Sequence, residues 1–447
     1  MARSNRQPHC SHVGRSLSAP ANSQARARTI YLLVASTLLL LGLAALSPRH
    51  TSAAEPPGGL TTDWTPQETA HFRFLVQTND RLTAEAFVEA YGAYAERAYD
   101  EISLFLKTSA TQKIQVYVYG ETAAFEQAVA AIATANGRNE IDGIDAVADP
   151  RNLDISIALP RFAGRSELEA ENQLRHATSH ILAGIASGNN IPRGLDEGLA
   201  QYVERPNTAI LARIAAVVQT ASQRGNLISW SELNRNNPPV DDKELIAAEA
   251  YAVVAYLIEH QGLPEFQSLL STLKTTPAWR DAMKAVYTQI DPNDLEKQWR
   301  QKVPTWATNG EWRENLIQGF DLEPARELLA KGNYLAAQDM LERSERLFKD
   351  LDDQQRRDEV EQLKAQCAIG IQAEELMVET QQALERHTYD RAVTYLEKAK
   401  AQYEQLPPEQ RPDELIATYE ALAAAGAEAM TQLDVATGLS HNWGDYP

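Results

Sequence analysis

Apolar and polar side chains alternate over residues 71–78 (HFRFLVQT) and 113–119 (KIQVYVY). Both runs are rich in β-branched and aromatic types, so the pattern predicts two strands. Between them Phe87, Tyr91, Tyr94 and Ala98 recur at helical spacing and predict a long helix over about residues 83–107, with a second near 121–136. Residues 142–147 and 153–159, separated by the turn-forming string DPRN, predict a hairpin. From Ser166 onward the periodicity is helical to the end of the chain. Strands first and helices afterwards predict an α+β domain, a small mixed sheet followed by a helical subdomain that runs to about Trp312. Trp299, Trp306 and Trp312, with Pro304 among them, read as the closure of that core.

The first 54 residues differ in kind. They hold Arg3, Arg6, Arg15, Arg26, Arg28 and Arg49 but no acidic side chain, and residues 29–46 form an uncharged, Leu-rich run. Ser52 and Ala54 suit the small positions of a signal-peptidase site. The run is also long enough for a minimal membrane span, with the arginines holding the N-terminus inside. Either fate, secretion or N-terminal anchoring in a membrane, predicts an extracytoplasmic body. Residues 55–61, which open EPPGG, read as a linker, since that string continues neither helix nor strand. The folded domain is expected over 62–314.

Composition narrows the partners. Asp plus Glu number 61 against 42 Lys plus Arg, a formal charge of −19, which excludes a phosphate-backbone partner that needs a basic face. Cys10 and Cys367 are too few for a disulfide framework or a Cys-based zinc ribbon, so any metal must rest on His and carboxylates.

The chemistry sits just after the predicted sheet. In QLRHATSHIL, His176 and His180 are four apart on a helix, about 40° from each other around its axis, so both imidazoles can face one ion while Ile181, Leu182 and Ile185 bury another side. By itself such a pair is also what a surface or core pair of histidines would look like. The segment 191–204 (IPRGLDEGLAQYVE) is a Pro-started helix that can fold back on the first and bring Glu197 to the imidazoles. Two His and one Glu with an open fourth position is a donor set of catalytic zinc.

These two motifs resemble the gluzincin branch of the zincin metallopeptidases, specifically the peptidase MA-like family, over roughly residues 65–310. The order of strands and helices is similar too. The resemblance implies one Zn²⁺ held by His176, His180 and Glu197, and peptide or protein as the substrate or partner. It also matches EAYAVVAYLIEHQG (249–262) to a later core helix whose tyrosine corresponds to Tyr251. Support for the ligands would come from Asp196 and from position 201, where the family usually has a carboxylate and this chain has Gln201. A further departure is Gly194, in place of a bulky aromatic, which predicts looser packing beside the ligand.

The departure that matters most is Ala177, which stands where HExxH has the glutamate that exchanges a proton with the metal-bound water. Glu169 shares the face of His176, but seven residues of rise put it about 10 Å along the axis, out of reach. Ala177 therefore predicts a pseudopeptidase that binds peptide or protein and cleaves poorly. A working peptidase with another base, and a metal-free envelope scaffold, stay open as alternatives.

Beyond residue 315 the composition shifts to Ala, Glu, Gln, Leu and Arg, and an internal repeat of period 55 appears. Tyr334, Ala337, Leu341, Phe348 and Leu351 recur as Tyr389, Ala392, Leu396, Tyr403 and Leu406. The strings GNYLAAQDMLERSERLF and HTYDRAVTYLEKAKAQY resemble the helix pairs of tetratricopeptide-like proteins, with long helices expected over 353–385 and 413–433. Residues 315–447 are thus expected as an all-α repeat domain, either a protein-binding surface or a body that only packs on the first domain.

Overall fold

A computed structural model describes residues 64–77, 83–135, 145–288 and 290–443. The expected leader or anchor (1–54) and linker (55–61) lie outside them. No helix among the described residues is long and apolar enough to cross a membrane.

Five strands form one sheet: β1 (Trp64–Glu68), β2 (Phe72–Gln77), β3 (Ile114–Tyr119), β4 (Ala146–Asp149) and β5 (Asp154–Ala158). Their order is β1-β2-β3-β5-β4. The inner pairs β2/β3 and β3/β5 are parallel, and the outer strands β1 and β4 are antiparallel to their neighbours. Alternation did not reveal β1, because Pro66 and its short polar sequence (WTPQE) carry no period-2 signal; as an edge strand it tolerates the missing donor. The hairpin turn comes later than DPRN suggests. Asp149 stays in the ladder opposite Asp154, its carboxylate accepts from Arg151 N and Asn152 Nδ2, and Leu153 completes the reversal at φ 57°.

Helix α1 (Ala84–Phe105) starts at Thr83, whose side chain accepts from Ala86 N, and it buries Phe87, Ala98 and Ile102; Tyr91 and Tyr94 pack half-buried at its margin. One sheet face (Phe72, Phe74, Val76, Val116, Ile155, Ile157) belongs to the main core with α1. On the other face Tyr117, Tyr119 and Val147 meet Phe125, Val129 and Ile132 of α2 (Thr122–Ala135). After the single turn α3 (Leu159–Phe162) the chain enters α4 (Glu167–Ser187), opened by a reciprocal cap between Ser166 and Glu169 and closed by Gly188 at φ 63°.

Helix α5 (Arg193–Tyr202) packs on α8 (Lys243–Tyr256) at Gly198, where a Cβ would overlap the Ala250 carbonyl. Between them lie α6 (Thr208–Arg224) and the short α7 (Trp230–Leu233). Helix α8 runs into a π-turn, Leu257–Gln261, and α9 (Leu263–Leu273), α10 (Trp279–Val286) and α11 (Pro292–Thr308) complete this part. Trp299, Trp306 and Trp312 are all buried, closing the core as their pattern suggests.

The remaining chain is helical: α12 (Glu323–Ala330), α13 (Tyr334–Asp350), α14 (Gln354–Glu385), α15 (Tyr389–Tyr403) and α16 (Asp413–Trp443). Equivalent positions of the 55-residue repeat do equivalent work. The Tyr334 ring fills the space where Gly370 of α14 lacks a side chain, and the Tyr389 ring does the same at Gly426 of α16. The main hydrophobic core extends from Phe72 to Ile416, and the described residues cluster as one compact unit.

Candidate metal centre

The return from α4 to α5 is made by two successive left-handed residues, Gly188 (φ 63°) and Asn189 (φ 62°). Asn190 then ties the loop to the Leu273 carbonyl at 3.0 Å, and Ser187 Oγ accepts from Ile191 N at 3.2 Å. This turn brings Glu197 to the histidine face of α4. Nε2 of His176 lies 3.8 Å, and Nε2 of His180 3.9 Å, from the same Oε2 of Glu197. One donor atom from each of the three residues falls within 4.8 Å of the others, which makes them a group able to hold a metal ion.

The arrangement fits zinc. Donors of a tetrahedral site with bonds of about 2.0–2.2 Å stand roughly 3.3–3.6 Å apart; the two His–Glu distances exceed that by a few tenths of an ångström, and all three donors lie within 4.8 Å. Each outward-facing nitrogen has a carboxylate beside it. His176 Nδ1 is hydrogen-bonded to Glu204 Oε1 at 2.8 Å, and His180 Nδ1 lies 2.9 Å from Asp196 Oδ2. A proton on each Nδ1 would leave the two Nε2 atoms, which flank Glu197 Oε2, as the donors, the arrangement that carboxylate support gives a metal-binding imidazole. Burial opposes charge on His176, but Glu197 and Glu204 outweigh it and push its pKa up to about 10.

Behind the site, on the far side of α4, the fully buried Arg175 pairs with Glu101 of α1 at 2.8 Å and donates through Nε to the Val203 carbonyl at 2.6 Å. Arg205 joins the same acids, Glu101 and Glu171, and Asn172 pairs with the Arg205 backbone in both directions. The helix bearing the histidines and the end of α5 are thereby locked together.

The group opens into a cleft of about 300 Å³. One wall is the edge strand β4 (Ala146, Val147, Ala148); the other carries His176, His180, Asp196 and Glu197. Arg151 and Arg193 also line it.

Several sequence expectations change in detail. Gln201 is half-buried on α5, and the carboxylate at His176 Nδ1 is that of Glu204 instead. Glu204 lies seven residues after Glu197, about 20° from it on a helical wheel, so its spacing was a readable signal. Gly194 does not loosen the packing: a Cβ there would lie 2.7 Å from Asn234 Oδ1 and 2.9 Å from Leu233 Cγ, because α7 and its cap fill the space. Asn234 Oδ1 in turn accepts from Leu195 N at 3.3 Å. Glu169 is engaged in the cap of α4, with Oε2 2.8 Å from Ser166 Oγ. Ala177 is 1% exposed and belongs to the main core. Tyr251 is equally buried; its ring packs 6.0 Å from that of Tyr202, burial raises its pKa, and it is not among the residues lining the cleft.

Residues 102–305, which include both motifs, match the family described as the peptidase MA superfamily. No curated protein matches the chain.

Proposed function

We propose, from the match of residues 102–305 to the peptidase MA superfamily, that the protein is an extracytoplasmic, zinc-holding pseudopeptidase that binds peptide or protein chains and hydrolyses them poorly. The observation that carries this reading is the conjunction of two things. His176, His180 and Glu197 converge with both imidazoles supported by carboxylates, while Ala177 occupies the position of the proton-transferring acid.

His176, His180 and Glu197 hold the ion, and when bound it supplies Lewis-acid polarisation of a peptide carbonyl. Glu204 and Asp196 orient the two rings. Among the described residues β4 is an outer strand of the sheet, and an extended segment binds there by adding a strand. Of the acids lining the cleft among the described residues, Asp196 is engaged with His180 and Glu197 is a ligand, so neither is placed to shuttle a proton. General acid–base groups contribute typically 10²–10⁴ in rate, and this chain forgoes that factor.

In this reading residues 62–314 form the peptidase-like domain and residues 315–447 a tetratricopeptide-like region offering a second surface for protein. A groove of about 470 Å³ among α12, α14, α16, the start of α13 and the end of α15, lined by Tyr334, Met377, Tyr403, Leu415 and Tyr419, supports that role. The arginine-flanked segment 29–46 exports the body and, if uncleaved, anchors it in the membrane.

Ala177→Glu tests the reading. Chelator-sensitive hydrolysis of a mixed peptide substrate should rise by about 10² or more over the parent. Zinc bound with hydrolysis unchanged would show that the missing acid is not what limits the site.

A further inference from the structure

Glu259 lies in the π-turn that ends α8, a lengthened turn of the kind that often marks functional sites. Its side chain is 8% exposed and gathers three donors: Leu316 N at 2.8 Å, Arg346 NH1 at 2.9 Å and the Tyr202 hydroxyl. The other terminal nitrogen of Arg346 donates to the carbonyls of Ile258 (3.3 Å) and Glu259 (3.0 Å), so one guanidinium from α13 braces both the side chain and the backbone of the turn. Tyr202 is the last residue of α5. Its carbonyl accepts from Asn315 Nδ2 at 2.8 Å, and two residues later comes Glu204, the support of His176.

We propose that Arg346 and Glu259 are positioning residues of the metal centre, fixing the end of α5 and, through Glu204, the ring of His176. The inference rests on the reading of His176 as a ligand. Glu204 follows the last helical residues, where a chain frays unless it is tied. The α4 side is tied by Arg175 and Asn172; the opposite side depends on the Tyr202 contacts, and these end at Arg346. Glu259 is 8% exposed although Arg346 is 39%, so removing the guanidinium leaves a largely buried carboxylate short of its cation, and the loss should be felt at Tyr202, which shares that carboxylate. The C-terminal helices are then part of the metal centre's scaffold.

The test uses the full chain with Arg346→Met, Glu259→Gln and the conservative Arg346→Lys, beside Arg326→Met, whose partners Glu323 and Glu359 are exposed. Two quantities are read: zinc dissociation constants by chelator competition, and the ¹⁵N signal of His176 Nδ1 in chelator-treated protein. Arg346→Met and Glu259→Gln should weaken zinc about tenfold, the usual scale for support around a metal ligand, and shift the Nδ1 signal away from its hydrogen-bonded value. Arg346→Lys should recover part of both, and Arg326→Met should change neither. Parent-like zinc affinity and a parent-like Nδ1 signal in both variants would overturn the proposal. A parent that binds no zinc would defeat the proposed function, while the Nδ1 signal would still decide this inference. If Arg346→Met does not fold, Glu259→Gln, which keeps an acceptor for Tyr202 and Leu316, decides it.

Discussion

Glu204→Gln is the sharpest perturbation of the site, because it keeps the side chain's shape and removes only its charge. In the parent, Glu204 Oε1 lies 2.8 Å from His176 Nδ1, and the two side chains are 27% and 25% exposed. Hydrogen bonds to a charged group contribute about 1.5–3 kcal/mol, and neutral ones about 0.5–1.5. The substitution should therefore cost His176 on the order of 1–1.5 kcal/mol of orientation and basicity. At about 1.4 kcal/mol per factor of ten, that is about a tenfold loss of zinc affinity, the lower end of the 10–100-fold range for such support. Asp196→Asn should cost at least as much at His180, since that pair is only 11% exposed on each side. The assay is competition against a chromophoric chelator at fixed pH and ionic strength, with circular dichroism to establish that the variants fold. A Glu204→Gln variant that binds zinc within twofold of the parent would refute the assignment of Glu204 as a support of His176.

Gly198→Ala drives a methyl into the Ala250 carbonyl and to 2.8 Å from Val254 Cγ2, so α5 must move away from α8. Overpacking of this kind costs about 1–3 kcal/mol, visible as a lower urea midpoint, and should weaken zinc by displacing Glu197; an unchanged midpoint would contradict it. Glu249 is fully buried, and burial, partly offset by the Ile228 N–H, raises its pKa to about 8. Between its unfolded value near 4.5 and about 8 the folded chain binds the extra proton, so stability should fall as pH rises through that window, by at most about 1.4 kcal/mol per unit. Asp154, raised to about 7 by burial and then by Asp149, acts in the same direction. Urea midpoints of chelator-treated protein at pH 5.5 and 7.5 test this: Glu249→Gln should flatten the difference, and an equal slope in parent and variant would exclude Glu249 as its source.

What the sequence made legible was local. His176 and His180 share a helix face by spacing alone, and Glu197 needed only one further step, a tight return after α4, which Gly188 and Asn189 supply. Strands β2 and β3 and helix α1 followed from periodicity. Elements whose pattern is set by distant partners were not legible. Strand β1 exists because β2 offers an edge, not because WTPQE alternates. Gly194 looked like slack, but the atoms that fill its place come from Leu233 and Asn234, forty residues on. Glu204 had a helical-wheel signal, yet it lies just past the end of α5, where the Arg175, Asn172, Arg205 and Tyr202 contacts hold the chain in place. The bond between Arg346 and Glu259 spans 87 positions and has no local signature at all.

The central claim is that His176, His180 and Glu197 form a metal site. Elemental analysis of the protein from Glu55 onward, purified without a metal-affinity tag and beside a His180→Ala control, tests it most directly. The account predicts about one zinc per chain in the parent and none retained in the control. A folded parent without zinc, or zinc undiminished in His180→Ala, would contradict it.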